Sequence, residues 1–127
     1  MNSRSYNLGK RTRSFAKNVR FLVSKLPNVI GAREDSRQLV RSAGSVAANY
    51  VEAEEAESKK DFAHCLKICR KEAKESSLWL DLLEPYCPLA FQKARLQLMN
   101  ESIELLQIFH ASIRTTGYDH KKKKIIQ

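Results

Sequence analysis

Turn-forming residues are scarce in this chain of 127 residues, which holds four glycines and three prolines. Sandwiches and barrels need tight turns at short intervals, so the composition argues against them, and its wealth of Ala, Leu, Lys, Glu and Arg favours helices. No apolar run approaches the ~20 residues that span a bilayer, and the N-terminus lacks the apolar core of a signal peptide. A cytoplasmic location without a membrane partner is therefore expected. The cysteines are odd in number, and Cys65 and Cys69 share one helical stretch. A disulfide framework is not expected, and a reducing compartment fits. His64, Cys65 and Cys69 offer conceivable metal ligands, yet no second pair of the C-x-x-C kind completes a set, so buried free thiols are the reading and no cofactor is expected.

Acidic residues are absent from positions 1 to 33, which carry eight basic ones. Positions 34 to 119 carry eleven basic against fourteen acidic residues, and Lys121, Lys122, Lys123 and Lys124 follow. The formal net charge of +9 thus resides at the two ends. Such a distribution points to a polyanionic partner such as nucleic acid, and no small-molecule substrate is expected.

Four helices are legible. Phe15, Val19, Leu22 and Leu26 follow 4, 3, 4 spacing and predict helix one over roughly 12 to 26, ended by Pro27, Asn28 and Gly31. Its opposite face carries Lys10, Arg13, Lys17 and Arg20, with Arg11 beside them. Helix two, roughly 34 to 56, buries Leu39, Ala43, Val46, Ala47 and Tyr50; its small residues, Gly44 among them, would admit a neighbouring backbone. Ser58 with Asp61 resembles a capping box and starts helix three, which Pro85 stops. There Phe62, Leu66, Cys69, Ala73, Ser76, Leu80 and Leu83 form a heptad-like seam, and Lys67, Arg70, Lys71 and Lys74 a second basic stripe. Helix four, roughly 89 to 115, has one seam of Leu96, Met99, Ile103, Leu106 and Ile113 and another of Leu98, Leu105 and Phe109. Together they exceed the apolar stripe one bundle can cover, which predicts a homo-oligomer. The expected architecture is all-α, an antiparallel up-and-down four-helix bundle over 14–116, with a basic arm at 1–13 and a lysine-rich tail at 117–127.

The segment from Arg41 through Asn49 and Glu52, followed by Ser58 to Phe62, resembles a signature of one bacterial family, the four-helix-bundle proteins encoded within intervening sequences of 23S ribosomal RNA genes. Lys67 to Leu80, with Lys71-Glu72-Ala73, Glu75-Ser76 and Trp79-Leu80, resembles the family's third-helix pattern. The similarity spans roughly 14 to 114. Two departures, Ala47 where proline is frequent and Ala53 where glycine is frequent, bear on the bend between helices two and three. The resemblance implies a closed bundle, homopentameric rings among related members, and kinship to accessory proteins of diversity-generating retroelements, which work with nucleic acid and a reverse transcriptase.

No constellation of nucleophile, base or metal stands out, so a non-catalytic reading is expected. The candidate nucleic-acid contacts are Lys10, Arg11, Arg13, Lys17, Arg20, Lys67, Arg70, Lys71, Lys74 and Lys121 to Lys124. One alternative is a protein-interaction scaffold with an acidic edge of Glu52, Glu54, Glu55 and Glu57. Another is a HEPN-like ribonuclease using the R-x5-H pair Arg114 and His120, which Gly117 interrupts.

Overall fold

Helical periodicity in the chain becomes four α-helices in the computed structural model, which describes residues 7–119. They are α1 (Leu8–Val23), α2 (Ile30–Glu54), α3 (Lys59–Leu82) and α4 (Gln92–Thr116), with single 3-10 turns at Glu84–Tyr86 and Leu89–Phe91. Each helix runs antiparallel to its neighbours. Gly44 of α2 lies beside Arg20 and Gly9 beside Glu54, Ser42 meets Ser76 across α2 and α3, and Arg95 of α4 reaches the Leu80 carbonyl of α3. Arg11 on Glu101 and Phe21 on Phe91 close the ring between α1 and α4. The bundle anticipated from the sequence is the fold.

The core draws on all four helices: Phe15, Val19 and Leu22, then Leu39, Ala43 and Val46, then Leu66, Cys69, Ala73 and Leu80, then Leu105, Phe109 and Ile113, all essentially inaccessible. The Ser58 hydroxyl caps α3 by accepting from the Asp61 amide at 3.1 Å, which supplies one of the partners a helix start lacks. α2 passes unbroken through Ala47 and Ala53, so neither departure from the family pattern bends it.

Several boundaries differ from expectation, each for a packing reason. α1 starts at Leu8, four residues early, because Leu8 and Thr12 are buried against the core; residues 8–13, read as an arm, are its first turns. α2 starts at Ile30 and takes in Gly31, which was read as a terminator. The Tyr86 ring lies so close to Gly31 that a Cβ there would run into its hydroxyl. The 3-10 turn at Leu89–Phe91 delays α4 to Gln92. The inner seam of α4 is Arg95, Leu98, Ser102, Leu105, Phe109 and Ile113, whereas Leu96 and Ile103 of the other seam are 50% and 43% exposed.

Candidate nucleic-acid interface

On α1 the apolar face turns inward and fixes the opposite face outward, so Lys10, Arg13, Lys17 and Arg20 are all exposed. Among the described residues none of the four forms an ion pair. Arg20 is partly tethered: its Nη1 donates to the Ala16 carbonyl at 3.0 Å, and its Nη2 lies 3.1 Å from where a Cβ on Gly44 would stand. At Gly44 the surface of α2 thus meets an arginine side chain rather than a neighbouring backbone.

Arg11 departs from the expected stripe. Its Nε and Nη2 donate to the two carboxylate oxygens of Glu101 at 3.0 and 2.7 Å, and Nη2 also to Glu104 at 3.0 Å. The side chain is only 15% exposed, and its hydrogen bond to Glu101 raises the guanidinium pKa against the opposing effect of burial. Arg11 is therefore a strut from α1 to α4 and not a free phosphate donor.

The second stripe has other surroundings. Lys71 and Lys74 are exposed while Lys67 and Arg70 are half-buried. The Arg70 Nη1 donates to Nδ1 of His110 at 3.0 Å, which places the proton of a neutral ring on Nε2. These residues rim an open groove of about 560 Å³ between α3 and α4, whose floor includes Leu106. The groove continues into one of about 640 Å³ bordered by Glu75, Leu78, Asp81 and Met99. Helix contacts join α1 to α2 and α4, and α3 to the same two, so α1 and α3 occupy opposite corners. The two stripes are not brought together into one track.

Residues that carry the family signature knit α2 to α3. Arg41 donates to Glu72 at 3.2 Å and Glu75 at 3.0 Å, the Ser42 and Ser76 hydroxyls lie 2.8 Å apart, and the Cys69 thiol points to the Val46 carbonyl at 3.5 Å. Burial pushes the Cys69 thiol up to about 12 and raises those of Cys65 and Cys87 as well. All three are poor nucleophiles near neutrality. His64 is exposed, and among the described residues no three His, Cys, Asp or Glu side chains gather as a metal cage requires. The carboxylates of Glu52, Glu54, Glu55 and Glu57 are exposed at the α2–α3 turn. Gly117, in the left-handed conformation, ends α4 just after Arg114. His120 and Lys121 to Lys124 lie outside the described residues.

Two features escaped the sequence reading. Arg95 is 5% exposed, donating to Gln92 at 2.8 Å and to the Leu80 carbonyl at 3.1 Å, and so ties the α3 terminus to α4. Its position at seam spacing before Leu98, Ser102 and Leu105 was the available signal. The other is Phe21, 58% exposed, with the Lys25 ammonium 5.1 Å above its ring.

The family model for 23S rRNA-intervening sequence proteins matches residues 4–111, which covers all four helices except the last turn of α4. The chain belongs to this family. Its fold is also similar to the crystal structure of a protein of unknown function from the S23 ribosomal protein family of Bacteroides thetaiotaomicron. Identity is 30% and the TM-score 0.73, over 87% of this chain and 97% of that one. No curated protein matches.

Proposed function

We propose that this member of the 23S rRNA-intervening sequence family is a non-catalytic, cytoplasmic RNA-binding module that works as a homo-oligomer, with a pentamer favoured. The observation that carries the reading is the outer face of α1, where Lys10, Arg13, Lys17 and Arg20 stand exposed in a segment free of acidic residues. Side chains on a formed helix give up less ordering entropy per phosphate contact than a flexible segment does, so this face is the main contact. Its donors are Lys and Arg without base-reading partners, so retention is electrostatic and follows shape and charge more than sequence.

Assembly is supported by the α3–α4 side, where Leu78, Leu96 and Ile103 are 48%, 50% and 43% exposed next to Met99 and Leu106. Covering that surface with a second copy leaves the α1 faces outward. A symmetric assembly then repeats each face and multiplies weak phosphate contacts.

RNA retention by the purified protein across a salt series tests the reading: affinity should fall steeply with salt, and the RNA should remain uncut. A flat salt response would end the electrostatic mechanism. Cleavage lost on His120→Ala would replace the module by the Arg114–His120 ribonuclease. A protein that keeps its steep salt response when truncated after Asp119 places the contacts on the bundle; loss of binding on truncation would move them to the lysine tail.

A further inference from the structure

Along the α1–α4 seam, between the contacts that close it, lies a groove of about 430 Å³ whose walls include Phe21, Asn18, Gln97 and Ser14. It lies on a different side of the molecule from the α3–α4 surface assigned to assembly. We infer that this groove receives an unpaired nucleobase, stacked on Phe21 and met at its edge by the Asn18 and Gln97 amides, so that the preferred ligand is single-stranded RNA. The inference rests on the RNA-binding reading and names its substrate class.

Three observations converge. Phe21 is 58% exposed where burial would be the default for a phenyl ring, and it is braced by Phe91, whose ring centroid is 6.4 Å away at an interplanar angle of 66°. A braced, exposed aromatic ring is what a base needs for stacking. The side-chain amides of Asn18 and Gln97 make no hydrogen bond to another described residue, so donors and acceptors suited to a base edge stand unspent beside that ring.

The charges around the groove fit a nucleotide. Lys17 is exposed one helical turn before Phe21, and the Lys25 ammonium lies 5.1 Å above the ring. A flexible lysine readily exchanges this contact for a phosphate. Glu101, the acidic residue in the wall, has both carboxylate oxygens bonded by Arg11, so it presents no uncompensated negative charge to the phosphodiester. A duplex keeps its bases stacked and paired and can use only the cationic rim.

The test compares a labelled single-stranded oligoribonucleotide with its duplex at one salt concentration. Wild type should bind the single strand more tightly, and Phe21→Ala should weaken that binding roughly tenfold while leaving duplex affinity unchanged and lowering thermal melting only slightly through the lost Phe91 contact. Phe21→Trp should keep the preference, its indole emission quenched by the single strand alone. Equal effects of Phe21→Ala on both ligands, or an unquenched indole in the saturated single-strand complex, would overturn the proposal. Steep salt-dependent retention that Phe21→Ala leaves untouched would sink the base groove and spare the electrostatic module, whereas absence of RNA retention would remove both.

Discussion

The outer faces of α1 and α3 both carry four basic residues at helical spacing, and what surrounds them differs. On α1 the cations stand in a segment without carboxylates, over a helix whose apolar residues other than Phe21 turn mostly inward. On α3, Arg70 is held by His110, Glu75 and Asp81 lie farther along the same groove, and the floor is apolar through Leu106 and Met99. Cations in the first setting keep their charge available to phosphate. In the second they rim an apolar groove, which under the proposed assembly would border the contact between copies. A row of lysines therefore acquires its role from what lies beside it.

The largest effect should come from charge reversal on α1. Arg13→Glu/Lys17→Glu is expected to lower RNA affinity on the order of a hundredfold at low salt and to reduce the salt slope by about 2, because two phosphate contacts are lost. Arg13 and Lys17 are preferred to the ends of the stripe, since Arg20 is tethered to Ala16 and Lys10 follows Gly9, which sits beside Glu54. The matching Lys71→Glu/Lys74→Glu protein should bind nearly as wild type. Equal losses in the two proteins would erase the distinction between the faces.

Next in size is the apolar border of the α3 face. Ile103→Asp should weaken self-association on the order of a hundredfold, as expected for a charge placed at a buried anchor, and light scattering should then approach the single-chain mass of 14.6 kDa. An unchanged oligomeric mass would mean that assembly uses another surface.

Arg11 and Gly44 sharpen the α1 side of the comparison. Arg11→Met removes a charge-assisted pair with Glu101, so urea unfolding should show a loss of about 2 kcal/mol while the salt slope for RNA stays as in wild type. Because Glu101 also lines the α1–α4 groove, the RNA comparison uses Arg11→Met/Glu101→Gln, which leaves no uncompensated carboxylate there. Weakened binding by that double variant would return Arg11 to the phosphate contacts. The smallest expected effect is that of Gly44→Ala. The methyl requires Arg20 Nη2, 3.1 Å from the Cβ position, to yield slightly, and the exposed end of a flexible side chain can do so. Relief of the glycine penalty should then stabilise α2 by about 0.5 kcal/mol without changing RNA affinity. Destabilisation would show that Arg20 is locked over Gly44.

The contrast between Arg11 and Arg13 shows where the sequence stopped being informative. The period of Phe15, Val19 and Leu22 places both arginines off the buried stripe, but Arg11 meets a carboxylate ninety residues away and Arg13 does not. On α4 two apolar seams had equal claims by spacing. The inner one was disguised by Arg95 and Ser102, polar residues satisfied by the Leu80 and Met99 carbonyls. Phe21 also stands off the stripe by spacing, but that it would sit against Phe91 beside α4 depended on a contact seventy residues away.

The number and order of helices, the Ser58 cap, the seam of α3, the family signature and the basic first third of the chain were determined by the sequence itself, because spacing and capping are local properties written residue by residue. Tertiary structure alone decided which α4 seam turns inward, which α1 cations remain free, that the two basic faces sit at opposite corners, and that Phe21 lines an open groove. Each of these depends on how a helix is rotated about its own axis against three others. That rotation is set by the joint packing of side chains from all four helices, not by the period of any one.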